Sequence, residues 1–335
     1  MIRLALRRIV MLIPVLVGLS VLVFAIGRLL PGDPVGLAAG PNASQQVLDS
    51  LAREFGLDRP IYEQYWNYAA GLLEGDWGRS ILTRRPVAAD IATFLPATLE
   101  LVIAAMLIAV AVGIPAGIVS AVWSDRWPDY LTRTFALSAV SVPPFFTGLL
   151  LQLCFAMLFA WMPLGGRFPV TETPPPPLTG FLTVDSILAG NPGALATALI
   201  HLALPAATLS LLAVATTTRI TRAAMMEVMQ QDYITTERAL GLSQTRIVLK
   251  YALKNAMSAT TTMLGLSFGW MLGGTVLVET VFDWPGIGLY ATQAIVTQDF
   301  VPVMGVTLVI GILFVLVNLC VDLTYGLLNP KVRFE

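Results

Sequence analysis

The sequence predicts an all-α, polytopic membrane protein with six transmembrane helices. Hydrophobic residues make up 56% of its 335 residues and charged residues only 12%, whereas soluble proteins are about 45–50% apolar. Its mean hydropathy is +0.76. It also contains six uncharged runs of roughly 20 residues or more, the length that crosses about 30 Å of hydrocarbon as a helix. The bilayer is therefore the expected environment of most of the chain.

The six predicted spans are rich in Leu, Val, Ala and Ile, with the Gly and Pro residues that bilayer helices tolerate. In chain order they are Ile9–Gly27, Leu101–Trp123, Thr134–Trp161, Leu195–Thr218, Asn255–Val278 and Phe300–Val321. The first span follows Arg3, Arg7 and Arg8, as the core of a signal peptide would. However, its apolar run exceeds the roughly 7–15 residues of a signal core, and no small-x-small cleavage site follows it. We therefore expect an uncleaved first span.

Basic residues predict the orientation of the spans. Lysine and arginine are enriched in short cytoplasmic loops, and an N-terminus inside the cell places 13 of the 20 basic residues there. Both termini are thus expected in the cytoplasm. The expected organisation is an N-terminal tail and first span (1–30), a periplasmic segment (31–96) and a core with five spans (97–335). That core includes a cytoplasmic loop at about 221–257.

One short helix is predicted within the periplasmic segment. Ser44 is suited to cap its N-terminus, Val47, Leu48 and Leu51 share one helical face, and Gly56 can end it. We expect the segment to form a small ordered cap. The alternative is a solvated loop without a partner.

The cytoplasmic loop is a charged, amphipathic stretch between two spans. Gly241 followed by Ser243 is typical of one helix ending and another beginning, because Gly accepts the left-handed position and Ser caps the next helix. Arg246, Lys250 and Lys254 recur every four residues on one helical face. We predict a helix, a tight elbow and a second helix along the membrane surface. The loop is either an interfacial anchor that uses lipid charge or a docking surface for a soluble partner.

The sequence matches the motifs of catalytic and nucleotide-binding sites poorly. The sequence around Ser267 reads GLSFG, but a nucleophile elbow needs a strand-turn-helix context and a base, and the only histidine is His201 in another span. A P-loop needs Gly-Lys, and none of the three lysines follows a glycine. We expect no enzyme activity and no cofactor bound by this chain. Gly265, Gly269 and Gly273 instead form a small-residue stripe, typical of close helix contact or a backbone-lined passage.

Ionisable residues near span ends allow a second class of function. Glu100, Glu279 and Asp322 are expected to act as structural partners or helix caps, whereas proton or ion coupling through them would indicate a secondary transporter. Cys154 and Cys320 lie inside predicted spans and are expected to pack as small apolar residues, without a disulfide or a metal site. A net charge of −1 argues against a nucleic-acid partner.

The stretch QDYITTERALGLSQTRIVLKYALKNAM closely resembles the EAA loop of permease subunits in bacterial ABC importers, whose two short helices insert into a cleft of the partner ATPase. Other stretches extend the resemblance along nearly the whole chain, to the B-type inner-membrane permease of dipeptide and oligopeptide importers. They include LRRIVMLIPVLVG, LLPGDP, GDWGRS, SVPPFF, ETVFDWPGIG and VNLCVDLTYGLLNPKVR. The resemblance implies a type I, MetI-like permease core. Peptide, nickel, glutathione and some sugar importers share these stretches, so they specify the solute poorly.

The resemblance also implies which loop residues couple to the ATPase. They are Asp232, Tyr233, Thr235, Thr236, Glu237, Arg238, Ala239, Gly241, Leu242, Leu253 and Asn255. Gly241 takes the place of the loop glycine. The Glu-Ala-Ala positions of the motif hold Thr235, Thr236 and Glu237, and Leu240 also departs from the pattern of the peptide branch. The resemblance therefore implies the docking mode but not individual salt bridges.

The implied function is a membrane-spanning half of an importer that carries di- or oligopeptides across the bacterial cytoplasmic membrane. Alternatives are the same importer class for nickel, glutathione or another small solute, and an ion-coupled secondary transporter. The implied partners are a second homologous permease subunit, two ABC ATPase subunits that hydrolyse ATP, a periplasmic or lipid-anchored solute-binding protein, and membrane lipid. Gly265, Gly269 and Gly273 are candidates for the translocation path. Segment 31–96 and ETVFDWPGIG are candidates for contact with the solute-binding protein.

Overall fold

A computed structural model describes residues 2–29, 34–40, 43–54 and 56–328. Within these ranges the chain forms thirteen helices, and α5, α7 and α11 each include a short π-helical stretch. In chain order the helices are α1 (Ile2–Leu29), α2 (Pro34–Ala39), α3 (Gln45–Glu54), α4 (Ile61–Glu74), α5 (Val87–Val122), α6 (Trp127–Ser141), α7 (Pro144–Leu158), α8 (Leu182–Leu188), α9 (Pro192–Met229), α10 (Asp232–Ala239), α11 (Gln244–Val281), α12 (Ile287–Val296) and α13 (Phe300–Leu328).

The spans agree with the prediction in number but not all in shape. α1, α5, α9, α11 and α13 are long and apolar enough to cross a membrane, and the α6–α7 pair makes a sixth span when counted as one. The all-α fold with six spans is thus confirmed. The predicted third span, Thr134–Trp161, is bent by 106° where α6 meets α7. The bend follows from Pro143, which cannot donate a helical hydrogen bond and disfavours a helical conformation at Val142. Val142 is accordingly extended, with φ of −105° and ψ of 128°.

α9 is the central helix of the bundle and packs against α5, α6, α7, α8 and α11. Its 38 residues span about 57 Å at 1.5 Å per residue, roughly twice the thickness of the hydrocarbon layer. The helix therefore continues beyond the predicted span Leu195–Thr218. α5 is also longer than predicted, because it begins at Val87, inside the segment 31–96. The core residues shared by α5, α9, α11 and the turn after α11 include Leu101, Val102, Leu209, Val214, Leu272 and Trp284.

Close contact between α5 and α9 depends on two glycines. A Cβ atom on Gly113 would lie 2.9 Å from Cβ of Thr217, and one on Gly117 would lie 2.6 Å from Cβ of Thr221. Non-bonded carbon atoms prefer separations of about 3.5–4.0 Å. The glycines therefore allow the two backbones to approach as small residues do in membrane helix pairs.

Glu100 is a structural carboxylate at the end of the bundle opposite α10. It accepts a hydrogen bond from Arg167 Nε at 3.0 Å. It also accepts from the N–H of Thr183 at 2.7 Å and from its hydroxyl at 2.6 Å, and so caps the first turn of α8. Its expected structural role is confirmed. The side chain of Asp322 lies outside the described residues.

Glu279 plays the same kind of role at the end of α11. It is fully buried and accepts hydrogen bonds from the Thr98 hydroxyl at 2.6 Å and the N–H of Leu289 at 3.0 Å. The stretch ETVFDWPGIG begins with Glu279 and contains the turn between α11 and α12. It is largely buried, with Trp284 1% exposed and its indole N–H donating to the Ala97 carbonyl at 2.9 Å. The expected contact of this turn with a solute-binding protein is therefore wrong for most of its residues, because they form core.

The short helix predicted in segment 31–96 is present as α3. The N–H groups of Val47 and Leu48 donate to the Ser44 carbonyl at 3.0 and 3.1 Å, so Ser44 stands at the N-cap. Gly56 has φ of +64° and follows the end of the helix, as predicted. The N–H of Leu57 donates to the Ala52 carbonyl at 2.9 Å, which closes the final turn.

Candidate functional site

The loop between α9 and α11 folds as the short helix α10 followed by a sharp turn. Gly241 adopts the left-handed conformation, with φ of +77°. Its N–H donates to the Arg238 carbonyl at 3.0 Å, and the N–H of Leu242 donates to the Glu237 carbonyl at 3.3 Å. These two bonds form a Schellman cap. The predicted glycine elbow is confirmed, and residues 230–243 are called the elbow below.

The second helix of the loop differs from the prediction. It begins at Gln244 and continues to Val281 as one helix, so it does not lie separately along the membrane surface. Ser243 stands at its N-cap, and its carbonyl accepts the N–H of Ile247 at 3.0 Å. The helix is continuous because no glycine or proline interrupts the sequence before Gly265. A π-helical stretch, Ile247–Ala252, lies within this first part of the helix.

The underside of the elbow is anchored in an apolar cluster. Ile234 of α10 is 0% exposed, and it belongs to a cluster with Met225 of α9, Ile247 and Ala252 of α11, and Ala121 of α5. Burial of one isoleucine side chain contributes about 1.5–3 kcal/mol. Three spans therefore hold the elbow in a fixed position.

The opposite side of the elbow is exposed, and its residues are called the elbow face. They are Asp232, Tyr233, Thr235, Thr236, Arg238, Ala239, Leu240 and Gly241. Seven of these eight belong to the residues that the resemblance implies for coupling. Leu240 was not among them, although it is 72% exposed and is the most exposed large apolar side chain of the elbow. Its position directly before the elbow glycine is the sequence signal that could have identified it.

The remaining predicted coupling residues lie below or beside the elbow face. Glu237, Leu242 and Leu253 are half-buried. Asn255 is on α11, and its side-chain amide donates to the Tyr233 hydroxyl at 2.7 Å. The structure therefore brings Asn255 to α10, from 22 residues away in the sequence. This bond links α10 directly to the span that follows.

A buried ion pair near the elbow was not predicted. Asp129 of α6 is 0% exposed, and Arg222 Nε and Nη2 donate to its two carboxylate oxygens at 2.7 and 2.8 Å. The Ser120 hydroxyl and the N–H of Asp125 donate to the same carboxylate at 2.5 and 3.0 Å. The pair ties α6 to α9 about two turns before the elbow. In the sequence the two charges are 93 residues apart, and only Arg222 enters the sequence analysis, as one of the basic residues that predict orientation.

The glycine stripe of α11 divides into two environments. A Cβ atom on Gly265 would overlap the Val321 side chain of α13, and one on Gly269 would overlap the Phe314 ring of the same helix. A Cβ atom on Gly273 would meet nothing within 4 Å. Gly265 and Gly269 are thus used for helix contact within the chain, which corrects their assignment to a passage. Gly273 alone is retained as a candidate for the translocation path.

Leucine substitutions at the three glycines are expected to affect stability differently in the two environments. Gly265→Leu and Gly269→Leu should each destabilise the protein by about 1–3 kcal/mol, because the contact with α13 has no room for a side chain. Gly273→Leu should change stability by no more than about 0.5 kcal/mol and still lower transport. Thermal unfolding in detergent and uptake by proteoliposomes would measure the two effects. Equal destabilisation at all three positions would contradict the division.

Two family models match the sequence of the chain. Residues 113–334 match the family described as "Binding-protein-dependent transport system inner membrane component". Residues 1–102 match the family described as "Binding-prot-dependent transport system membrane comp, N-term". The two matches together cover both the elbow and the segment that contains α1 to α4.

Three relatives are similar over nearly the full length of the chain. The di/tripeptide transport system permease protein DppB of Pseudomonas aeruginosa (strain UCBPP-PA14) is 40% identical over 330 residues, 98% of each chain. The probable D,D-dipeptide transport system permease protein DdpB of Escherichia coli (strain K12) is 44% identical over 321 residues, 96% of this chain and 94% of its own. The glutathione transport system permease protein GsiC of Escherichia coli (strain K12) is 39% identical over 335 residues, 100% of each.

Proposed function

Because the chain belongs to the family of binding-protein-dependent transport system inner membrane components, we propose that it carries di- or oligopeptides as one permease half of an ATP-driven importer. Members of this family are multi-pass proteins of the bacterial inner membrane, and this chain is accordingly the permease subunit of an ABC importer. The observation that supports the coupling role is the elbow. Its face is exposed and its underside is fixed to three spans.

We infer that the elbow face docks into a cleft of the partner ATPase. Leu240, 72% exposed, offers an apolar side chain for such a cleft, as an amphipathic helix does in a groove. Asp232 and Arg238 lie at opposite ends of α10 and carry opposite charges, which can set the register of docking. In this arrangement the elbow faces the cytoplasm, and both termini lie on the same side. ATP is bound and hydrolysed by the ATPase subunits and not by this chain.

Movement of the ATPases would be transmitted through the elbow to the spans α9 and α11, because the elbow is rigidly attached to both. α9 enters the elbow at Met229, and α11 leaves it at Gln244 and continues to Val281. The Tyr233–Asn255 hydrogen bond and the burial of Ile234 fasten α10 to both. A displacement of the elbow therefore displaces two spans together. We propose a second, related permease as the other wall of the passage, with two ATPases below and a solute-binding protein above.

A short peptide is the solute that the relatives support best. The three described above are named for di- and tripeptides, D,D-dipeptides and glutathione. Glutathione is itself a tripeptide, so all three relatives are named for small solutes that contain an amide bond, an ammonium group and a carboxylate. The solute-binding protein, which is a separate chain, is expected to select among such solutes.

Reconstitution tests both the driving force and the solute. The chain, its partner permease and the ATPases would be placed in proteoliposomes with the solute-binding protein, and uptake of a labelled dipeptide would be measured. We expect uptake that requires ATP and that stops when the catalytic glutamate of the ATPase is replaced. Uptake driven by an ion gradient without ATP would indicate the secondary transporter. ATP-driven uptake of nickel, but not of dipeptide, would support the assignment to the ABC importers and refute the assignment of a peptide solute.

A further inference from the structure

α4 lies against the span α1 and not above it. The Tyr65 hydroxyl is 3.0 Å from the Ser20 hydroxyl. The Phe24 ring, 5% exposed, contacts the rings of Tyr65 and Tyr68 at centroid distances of 5.5 and 5.6 Å. One face of α4 is therefore packed onto the side of α1.

This contact sets the depth of α4. Ser20 precedes Arg28, the charged residue at the end of the apolar window of α1, by eight residues. At 1.5 Å per residue this places Ser20 about 12 Å below Arg28 along the helix. A tyrosine side chain reaches Ser20 only if α4 itself lies close to the boundary between headgroups and acyl chains. With Arg28 at the level of the headgroups, α4 would therefore lie at the bilayer surface.

A second face of α4 is apolar and uncovered. Tyr62, Trp66 and Leu73 are 70%, 73% and 91% exposed. At about 100° per residue they fall within about 40° of one another on the helix. Val21 of α1, the residue after Ser20, is also exposed, at 46%. The apolar surface of α4 lies beside a helix that itself has exposed apolar side chains.

The third face of α4 is polar. Glu63, Asn67 and Glu74 are exposed and lie about 100° around the helix from the apolar face. The order around the helix is therefore a face packed on α1, an apolar exposed face and a polar exposed face. This order is that of a helix lying in a membrane interface, with tyrosine and tryptophan at the level of the headgroups.

We propose that α4 is an interfacial membrane helix, with Tyr62, Trp66 and Leu73 inserted among the lipids of the leaflet beside it. In the orientation proposed above this is the outer leaflet. Lipid is favoured as the occupant because the Tyr65–Ser20 contact fixes the depth and because the apolar face adjoins the side of a span. Such a helix anchors the segment between α1 and α5 to the bilayer. Only the polar face with Glu63, Asn67 and Glu74 is left for soluble partners.

Spin labels on the two exposed faces test the proposal. The background replaces the half-buried Cys154 and the exposed Cys320 with serine. Single cysteines at Leu73 and Trp66 then report the apolar face, and single cysteines at Asn67 and Glu74 report the polar face of the same helix. Collision rates of the attached nitroxides with oxygen and with a water-soluble nickel chelate would be measured on the assembled importer in lipid nanodiscs. We expect Leu73 and Trp66 to favour oxygen several-fold over the chelate, and Asn67 and Glu74 to show the reverse.

Each other outcome overturns the proposal. High chelate accessibility at all four positions would place the whole helix in water. Low accessibility of Leu73 and Trp66 to both reagents would indicate a protein neighbour. If that protection appeared only with the solute-binding protein, that protein would be the neighbour. Because Trp66→Cys removes an aromatic anchor, brominated lipids provide a second measurement on unlabelled protein. They should quench more of the fluorescence of the native chain than of Trp66→Phe.

Discussion

Gly241→Val is expected to reduce ATP-driven uptake about tenfold or more while leaving folding and membrane insertion intact. Gly241 has φ of +77°, and a Cβ atom there would meet nothing within 4 Å. The penalty is therefore conformational and involves no overlap. The left-handed region costs an ordinary L-residue about 1–2 kcal/mol, and a β-branched one is a stronger outlier there. Since 1.4 kcal/mol corresponds to about tenfold in population, the elbow conformation available for docking would fall about tenfold relative to competing conformations.

Gly241→Asn is the matched control, because asparagine tolerates the left-handed conformation better than other residues with a Cβ atom. It should retain most of the uptake and most of the ATPase that purifies with the native permease. Uptake by proteoliposomes and ATPase recovery in a mild-detergent pull-down would be compared for the two variants. Full activity of Gly241→Val would refute the role of the elbow. Equal losses in both variants would indicate a steric effect on the docking face.

Arg222→Ala is expected to destabilise the protein by about 3–5 kcal/mol, the range for breaking a buried ion pair. It removes two hydrogen bonds from Asp129, a carboxylate that is 0% exposed. The charge that remains is buried, and its partners are then the Ser120 hydroxyl, the N–H of Asp125 and the half-exposed Arg133, whose Nη1 lies 4.0 Å away. Thermal unfolding of the detergent-solubilised complex would measure the change, together with the amount inserted in membranes.

Arg219→Ala is the matched control for this prediction. Arg219 is exposed, lies one turn earlier on α9, and is also an arginine, so its removal should cost no more than about 0.5 kcal/mol. The double variant Asp129→Asn with Arg222→Gln should be more stable than Arg222→Ala alone, because it leaves no buried charge without a partner. If Arg222→Ala were as stable as Arg219→Ala, the pair would contribute nothing to the fold.

Features set by local sequence could be predicted. The spans follow from uncharged runs, and the cap at Gly241 follows from the conformational freedom of glycine. α3 was likewise predicted from its own residues, between Ser44 and Gly56. In each case the signal lies within about one element of the structure that it specifies.

Features that depend on distant partners could not be predicted. Asp129 and Arg222 meet across 93 residues, and Thr98 and Glu279 meet across 181. A single sequence gives no register between such elements. Arg222 therefore predicts only orientation, Glu279 only a span end, and Asp129 and Thr98 carry no prediction. The burial of ETVFDWPGIG was missed for the same reason, because it depends on contact with α5. The bend at Val142 has a local signal in Pro143, but the apolar run continues across it and therefore predicts one span.

The Schellman cap at Gly241 and the burial of Ile234 affect the affinity of the elbow for its partner ATPase. Ordering one residue costs about 1–2 kcal/mol of conformational entropy, and a partner that binds a loose loop must meet that cost from its contact energy. Here the cost falls on folding of the permease, since Met225, Ala121 and Ile247 already hold Ile234 in place. A synthetic peptide covering 232–256 lacks Met225 and Ala121. It should therefore compete weakly with the intact permease, even though it contains every residue of the elbow face.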